Sequence, residues 1–502
     1  VLAPDVVQKP ETTRTPALAQ EPSGDSRQIA MNGTMFSDQK NVEGRILISR
    51  SSEINGSLLE DTIVERNCFL HIRGNVKGSL TISEGARVVV EGSIDGKVFN
   101  KGGNLTVHNN GTITEFLTTD GPPENESGAV LKVNLSAIAL NWVALAKHTL
   151  SECAAVLRAD AYGCGLGPVA GTLARSGCNT FFVSDLAEAK LVRKVASGAS
   201  IYVLGGMYPG TAPVFAQINA QPVINNTLEM AEWDAFVAAN QWTGGFALNV
   251  KTGAGRFGIP LEEAVPFAAR VHVRAHGISL LMSDLDKDGN TGHPNNERQI
   301  KALQDLRMVY PSVPISLADA PGMFRFPNAH FDIVRLGAAL FGVNPTPLAP
   351  TPVQPVIDLQ ARIVQIRNVA PGEIIADNGG WNSKRRSRLA IVAAGYADGY
   401  PRPKSTAEIK PKAKTGNESE IEPRLEAIVG GQRCPVAGRA SLDSLAIDIT
   451  DLPDPRLARH GEMVTLIGAG LGIDDIATAA KSTGNELLRN LGRRFHRIYY
   501  AG

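Results

Sequence analysis

The sequence predicts a (β/α)8 TIM barrel followed by a C-terminal β domain and preceded by a short all-β solenoid. Three observations carry that prediction. Between residues 131 and about 345, eight short apolar strand candidates alternate with helical segments. Between 41 and 115, glycine-bounded β-rich runs recur about 18 residues apart. After Pro345 the strand–helix alternation gives way to Gly/Pro-punctuated β patterns that continue to residue 502.

Composition sets the outer limits. A chain of 502 residues has room for two to four domains, and 43% hydrophobic with 20% charged residues is the balance of an ordinary globular protein. Fifty Lys+Arg offset fifty Asp+Glu, so net charge gives no reason to expect nucleic acid or an anionic membrane as partner. No apolar run reaches the roughly 18–20 residues of a membrane span. The five cysteines are scattered without a C-x-x-C pair, which argues against a disulfide framework or a metal site and suits a reducing, cytoplasmic setting. The chain starts at Val1, the mark of a processed product or fragment, so its N-terminus is expected to be incomplete. Ala17-Leu18-Ala19 resembles a cleavage tripeptide but follows no apolar segment and is read as chance.

Residues 1–40 are rich in Pro, Gln, Thr, Ser and Glu and poor in large apolar side chains, so they are expected to form a disordered arm. In 41–115 the runs Gly74-Asn75-Val76-Lys77-Gly78 and Gly92-Ser93-Ile94-Asp95-Gly96 are copies of one pattern. Ser79-Leu80-Thr81-Ile82-Ser83 and Val88-Val89-Val90 supply inward side chains for the rungs. This stretch resembles the bactofilin-type β-helix, which implies self-assembly through the solenoid; a small β module used as a spacer is the other reading. A polar linker, 116–130, leads to the barrel.

The barrel strands are expected at Ala154–Leu157, Thr180–Ser184, Ile201–Leu204, Pro222–Ile224, Phe246–Lys251, Gly277–Met282, Pro314–Ala318 and Asp332–Leu336. The β domain then occupies 346–502, interrupted by a charged, solvated loop from Lys404 to Arg424.

Ala155-Val156-Leu157-Arg158-Ala159-Asp160-Ala161-Tyr162-Gly163-Cys164-Gly165 is similar to A-V-V-K-A-D-A-Y-G-H-G, the signature of the alanine racemase family. Thr252 to Gly258 resembles T-G-M-N-R-L-G, and Asp332 to Gly342 resembles D-L-V-R-P-G-I-A-L-Y-G. Gly395-Tyr396-Ala397-Asp398-Gly399-Tyr400 and Gly438-Arg439-Ala440-Ser441-Leu442-Asp443 follow in the family's order. The resemblance covers 131–502. It implies a fold-type III pyridoxal-phosphate (PLP) protein and a head-to-tail homodimer, each site being completed by the partner's C-terminal domain.

The resemblance also shows what has changed. The family's lysine, which forms the Schiff base with PLP and acts as one of two bases, is Arg158 here. A guanidinium stays protonated and has no free amine to attack the aldehyde. The second base, a tyrosine in G-Y-G-A-T-W, is Asp377, and the histidine that packs on the cofactor ring is Asp284. Around the phosphate, a serine is replaced by Ala320 and a tyrosine by Asn485. Tyr162, Arg256, Arg335, Asp443 and the amides of Gly337 and Ala338 remain, Arg335 being the residue that pairs the pyridine nitrogen in the family. Five losses in one pocket predict that no catalytic residue is intact and that covalent PLP binding is lost.

Lys251 is the candidate substitute amine. It lies two residues after Asn249, so both face the barrel interior, where Lys251 either replaces the missing nucleophile or pairs with a new acid such as Asp284. Asp284, Asp377 and Arg158 either form a new polar pocket or close on each other as a salt-bridge cluster, the second being favoured. The formal G-x-G-x-x-G at Gly253–Gly258 is better explained as the barrel loop than as a dinucleotide site, and Cys164 as a packed thiol.

The leading expectation is a pseudoenzyme: a racemase homologue acting as a binding or scaffold protein with a cell-wall-related ligand or partner. The alternatives are an active, divergent PLP racemase using Lys251, and a structural protein assembled through the solenoid.

Overall fold

In the computed structural model the chain divides into two compact units, residues 1–114 and 115–502. The residues described are 29–30, 46–107, 112–122, 124–253, 255–271, 277–286, 294–346, 350–375, 381–402 and 424–501. The arm expected at 1–40 lies outside them except for Ile29–Ala30, a short strand that pairs parallel with Ile46 and Leu47. The charged loop expected at 404–424 lies outside them except for Arg424.

The first unit is a coil of parallel strands. Ser52–Ile54, Phe69–Ile72, Arg87–Val90 and Asn104–Val107 stack into one sheet. Ile46–Ile48, Thr62–Val64, Leu80–Ile82 and the end of Ser93–Asn100 form another face. Cα partners such as Ser52 with Leu70 and Leu70 with Val88 put successive rungs 18 residues apart, matching the 18-residue step of the Arg73–Glu91 bond. Ile54, Ile72, Val76, Ile82, Val90 and Ile94 point inward and are 4% exposed or less. Burying each such aliphatic side chain contributes about 1.5–3 kcal/mol.

Backbone contact explains the repeated glycines. A Cβ on Gly74 would sit 1.9 Å from the carbonyl oxygen of Gly56, and one on Gly92 would sit 1.9 Å from that of Gly74. Each rung turns so tightly over the previous one that only hydrogen fits.

The second unit holds the barrel. Its strands are β1 (Glu152–Val156), β2 (Thr180–Val183), β3 (Ser200–Val203), β4 (Gln221–Ile224), β5 (Phe246–Lys251), β6 (Ile278–Met282), β7 (Ile315–Asp319) and β8 (Ile333–Leu336). All neighbours are parallel, β8 pairs with β1, and β4 pairs with β5, so the eight strands close into a ring. Every strand expected from the sequence is present, shifted by no more than two residues at an end. Val156, Phe182, Tyr202, Val223, Leu280 and Met282 pack inside the ring, with the Phe182 and Tyr202 rings stacked at 5.0 Å. Trp233, Phe181 and Phe215 are fully buried in the larger core cluster.

The stretch expected as a linker, 116–130, contributes strands to the C-terminal β domain. Phe116 to Asp120 pair antiparallel with His496–Ala501, the last described strand. Ala129–Asn134 pairs with both that strand and Ile357–Val369. Composition concealed this, because Thr118-Thr119-Asp120-Gly121 reads as polar hinge while the backbone of Thr118 to Asp120 pairs with a strand from the far end of the chain. Two helices, Ile473–Ala479 and Gly484–Asn490, also belong to this region. Among the described residues no helix is long and apolar enough to cross a membrane.

Candidate functional site

Because all eight barrel strands run the same way, their C-terminal ends share one rim, and the loops that follow converge there. A cavity of about 790 Å³ opens at that rim. Its walls include Arg158 after β1, Lys251 ending β5, Asp284 after β6, Ala320 after β7, and Arg335 with Gly337 from β8. The structure therefore brings together nearly all of the site residues expected from the sequence. Two are not among them: Asp443 does not line the cavity, and Asp377 lies outside the described residues.

Arg158 is placed by an unusual turn. Ala159, Asp160, Ala161 and Tyr162 have φ of 53°, 56°, 52° and 56°, four successive left-handed residues of which none is glycine. Each costs about 1–2 kcal/mol, so the surroundings must hold the turn. Asp160 does much of this. One carboxylate oxygen accepts the Leu166 amide at 2.9 Å and the other accepts Arg497 at 3.1 Å, while the Asp160 amide donates to Glu188 at 2.9 Å. The turn directs Arg158, half-buried, and Tyr162, buried, to the cavity.

Arg335 sits at the cavity floor, only 5% exposed. Its guanidinium donates to Ser316 Oγ at 2.9 Å and to the Ser283 carbonyl at 2.8 Å, and it forms an ion pair with Asp284. The expected pairing of Asp284 with Lys251 is thus corrected. Strands β6 and β8 are separated only by β7, so the start of the loop after β6 reaches Arg335, whereas Lys251 stands at the end of β5. In the expected cluster of Arg158, Asp284 and Asp377, the place of Asp284 is corrected: it is taken by Arg335, and Arg158 has no ion pair among the described residues, outside which Asp377 lies.

Asn249 and Lys251 also part company. Asn249 is 8% exposed and donates to Asn225 Oδ1 at 2.8 Å, as expected for the interior. Lys251 lines the cavity but is exposed, because it stands at the rim rather than inside the ring. Alternation gave the face of the strand correctly and left its height in the barrel open. Arg256 lies over the exposed ring of Phe257, 5.9 Å from its centroid. The Gly253–Gly258 loop ends in Ile259–Pro260, which folds back to pair with Val250 and Lys251, so it serves as the loop after β5.

On the opposite wall the Tyr162 hydroxyl lies so near Gly337 that a Cβ there would come within 2.5 Å of it. Ala320 is buried and offers no polar group, and Asn485 presents an Oδ1 closed to solvent and without a hydrogen-bond partner. Arg489, missed in the sequence, lines the cavity with its guanidinium over the Tyr162 ring at 5.4 Å. Its position four residues after Asn485 on one helix was the available signal. Asp286 and Asp319 were missed too; Asp319 caps the helix after β7 by accepting the Gly322 amide. Cys164 is fully buried, and burial pushes its thiol up to about 12, so it packs rather than reacts. Among the described residues no group of His, Cys, Asp or Glu could hold a metal ion.

Comparison with known proteins covers this second unit. Residues 133–345 match the model of the alanine racemase N-terminal domain, and 356–499 match that of the C-terminal domain. The chain is 42% identical to the alanine racemase of Methylobacterium nodulans over 75% of its own length and 97% of that protein's. It is 37% identical to a catabolic alanine racemase of Mesorhizobium japonicum, over 78% and 98% respectively. Among solved structures, alanine racemase from Bartonella henselae with covalently bound pyridoxal phosphate superimposes with a TM-score of 0.66 at 28% identity, covering 74% of this chain and 99% of that one. The biosynthetic alanine racemase of Pseudomonas aeruginosa gives 0.64 at 30% identity, covering 74% and 99%.

Proposed function

The chain belongs to the alanine racemase family, and from that premise we propose that it is a non-racemising member whose barrel serves as a small-ligand binding site. One observation carries the reading: the left-handed turn after β1 delivers Arg158 to the cavity, at the position where the family signature has its lysine. PLP, the cofactor expected for the family, needs a primary amine for covalent attachment, and a guanidinium does not supply one. Asp284 engages Arg335, and Ala320 offers no hydroxyl, so the surrounding groups do not compensate. The residues at this position do not fit covalently held PLP, and the proposed role uses none of its chemistry.

The test is direct. Purified full-length protein is incubated with PLP, its visible spectrum is recorded before and after borohydride reduction, and L-to-D alanine exchange is followed by chiral chromatography. The expected result is no fixed adduct and no exchange. Exchange above the rate of free PLP overturns the reading.

A second reading has its own observation. Lys251 lines the cavity and carries no ion pair with any described residue, which leaves its amine available as a substitute nucleophile. A divergent, active racemase of this kind predicts a borohydride-fixed adduct that maps to Lys251 and disappears in Lys251→Gln.

The family relationship supports a homodimer, and Ile374, Tyr396 and Leu442 of the C-terminal domain, 66%, 41% and 55% exposed, are the apolar groups such an interface would cover. In this reading the solenoid tethers or assembles the barrel, with a cell-wall-related ligand or partner. Five free thiols support a reducing, cytoplasmic setting.

A further inference from the structure

The side chains that line the barrel cavity include five cations, Arg158, Lys251, Arg256, Arg335 and Arg489, against three carboxylates, Asp284, Asp286 and Asp319. Three of the cations are occupied within the protein. Arg335 is neutralised by Asp284, Arg489 lies over Tyr162 and Arg256 over Phe257. Arg158 and Lys251 differ: no hydrogen bond, ion pair or ring contact joins the side chain of either one to a described residue. Arg158 is also half-buried, so it has given up part of its hydration without gaining a counterion among the described residues.

Their positions are complementary. Arg158 follows β1 and Lys251 ends β5, which in a closed ring of eight are diametrically opposite staves. We infer that Arg158 and Lys251 bind the two ends of a small dianion, a dicarboxylate or a phosphorylated carboxylic acid, held non-covalently across the barrel mouth. This rests on the non-racemising reading, because it gives both cations a role as binding groups rather than as bases. The planar Arg158 fork donates a bidentate pair of N–H bonds to a carboxylate or phosphate, and Lys251 supplies a point charge with three donors. A neutral ligand leaves both cations uncompensated, and a monoanion leaves one.

The experiment is titration calorimetry on the full chain with succinate, 2-phosphoglycolate and the neutral isostere succinamide. At least one dianion is expected to bind, succinamide to give no heat of binding, and affinity to fall as salt is raised. Arg158→Gln and Lys251→Gln should each weaken the dianion by about ten- to a hundredfold, the loss of one charge-assisted contact. Arg158→Lys keeps the charge but loses the bidentate fork, so it should bind more weakly than the parent protein and more tightly than Arg158→Gln, an order that a folding defect would not give; unchanged thermal melting checks the Gln variants. Failure of both dianions to bind overturns the inference. So does binding that is insensitive to either Gln variant, or equal binding of succinamide. Alanine exchange, measured on the same sample, reports separately on the underlying reading. Exchange sinks that reading and this inference with it, whereas absent exchange with insensitive binding sinks the inference alone.

Discussion

The solenoid and the barrel solve the same problem, burying apolar side chains of short strands, in opposite ways. In the solenoid each residue's environment is set by the residue about 18 positions earlier, so Ile54, Ile72 and Val90 form one interior column and Gly56, Gly74 and Gly92 one backbone contact. In the barrel the neighbours are remote. Glu152 pairs with Ile333, and the cavity gathers side chains from position 156 to position 489. The difference teaches where a substitution is felt. A change in the solenoid acts on the rungs beside it, while one at the barrel rim redistributes contacts among strands that the sequence keeps far apart.

The largest expected effect breaks the barrel's side of the comparison. Arg158→Lys restores a primary amine at the head of the left-handed turn, and borohydride should then fix PLP to position 158, from no adduct in the parent protein to a large fraction of chains; peptide mapping by mass spectrometry checks it. If no adduct forms, the cavity has lost more than the amine.

Gly74→Val tests the solenoid's dependence on backbone contact. With a Cβ driven to within 1.9 Å of the Gly56 carbonyl, the rung must open, at an expected cost above about 4 kcal/mol. Hydrogen exchange should show lost protection confined to residues 46–107, with the barrel amides unchanged. Loss of protection in both units would mean that they are energetically coupled.

Arg335→Ala is the counterpart in the barrel. It strips the cation from Ser316, Ser283 and Asp284 at once and should cost about 3 kcal/mol, read from urea melts of the second unit. Because Asp284 is largely exposed, Asp284→Asn should cost far less.

The smallest effect concerns the solenoid surface. Partial desolvation would raise the Glu91 carboxyl, but His71 and Arg73 beside it outweigh that and hold it below its usual range. Its folded-state pKa is therefore depressed. The stabilisation is present above the normal carboxylate range, about pH 4.5, and is lost as pH falls through the lowered value. Exchange protection near residues 71–73 should decline slightly below that pH in the parent protein and show less pH dependence in Glu91→Gln.

Most of the fold was legible. All eight barrel strands and the glycine period followed from local pattern, since a strand's apolar alternation and a rung's glycine are short-range properties. The linker was misread, because nothing in Phe116 to Asp120 announces that their partner is His496–Ala501, nearly four hundred residues away. Within the site, the identities of Arg158, Asp284 and Arg335 were available from motif order. Their pairings were not.

The sequence alone determined that this is an alanine-racemase scaffold with an arginine where the signature lysine stands, because residue identity and motif order are one-dimensional facts. Only the tertiary structure decided that Asp284 neutralises Arg335, that Lys251 stands exposed at the rim, and that Arg489 joins the cavity. The reason is physical. Ion pairing and desolvation depend on separations through space, and in a closed barrel these are fixed by ring closure and strand register, which no local stretch of sequence encodes.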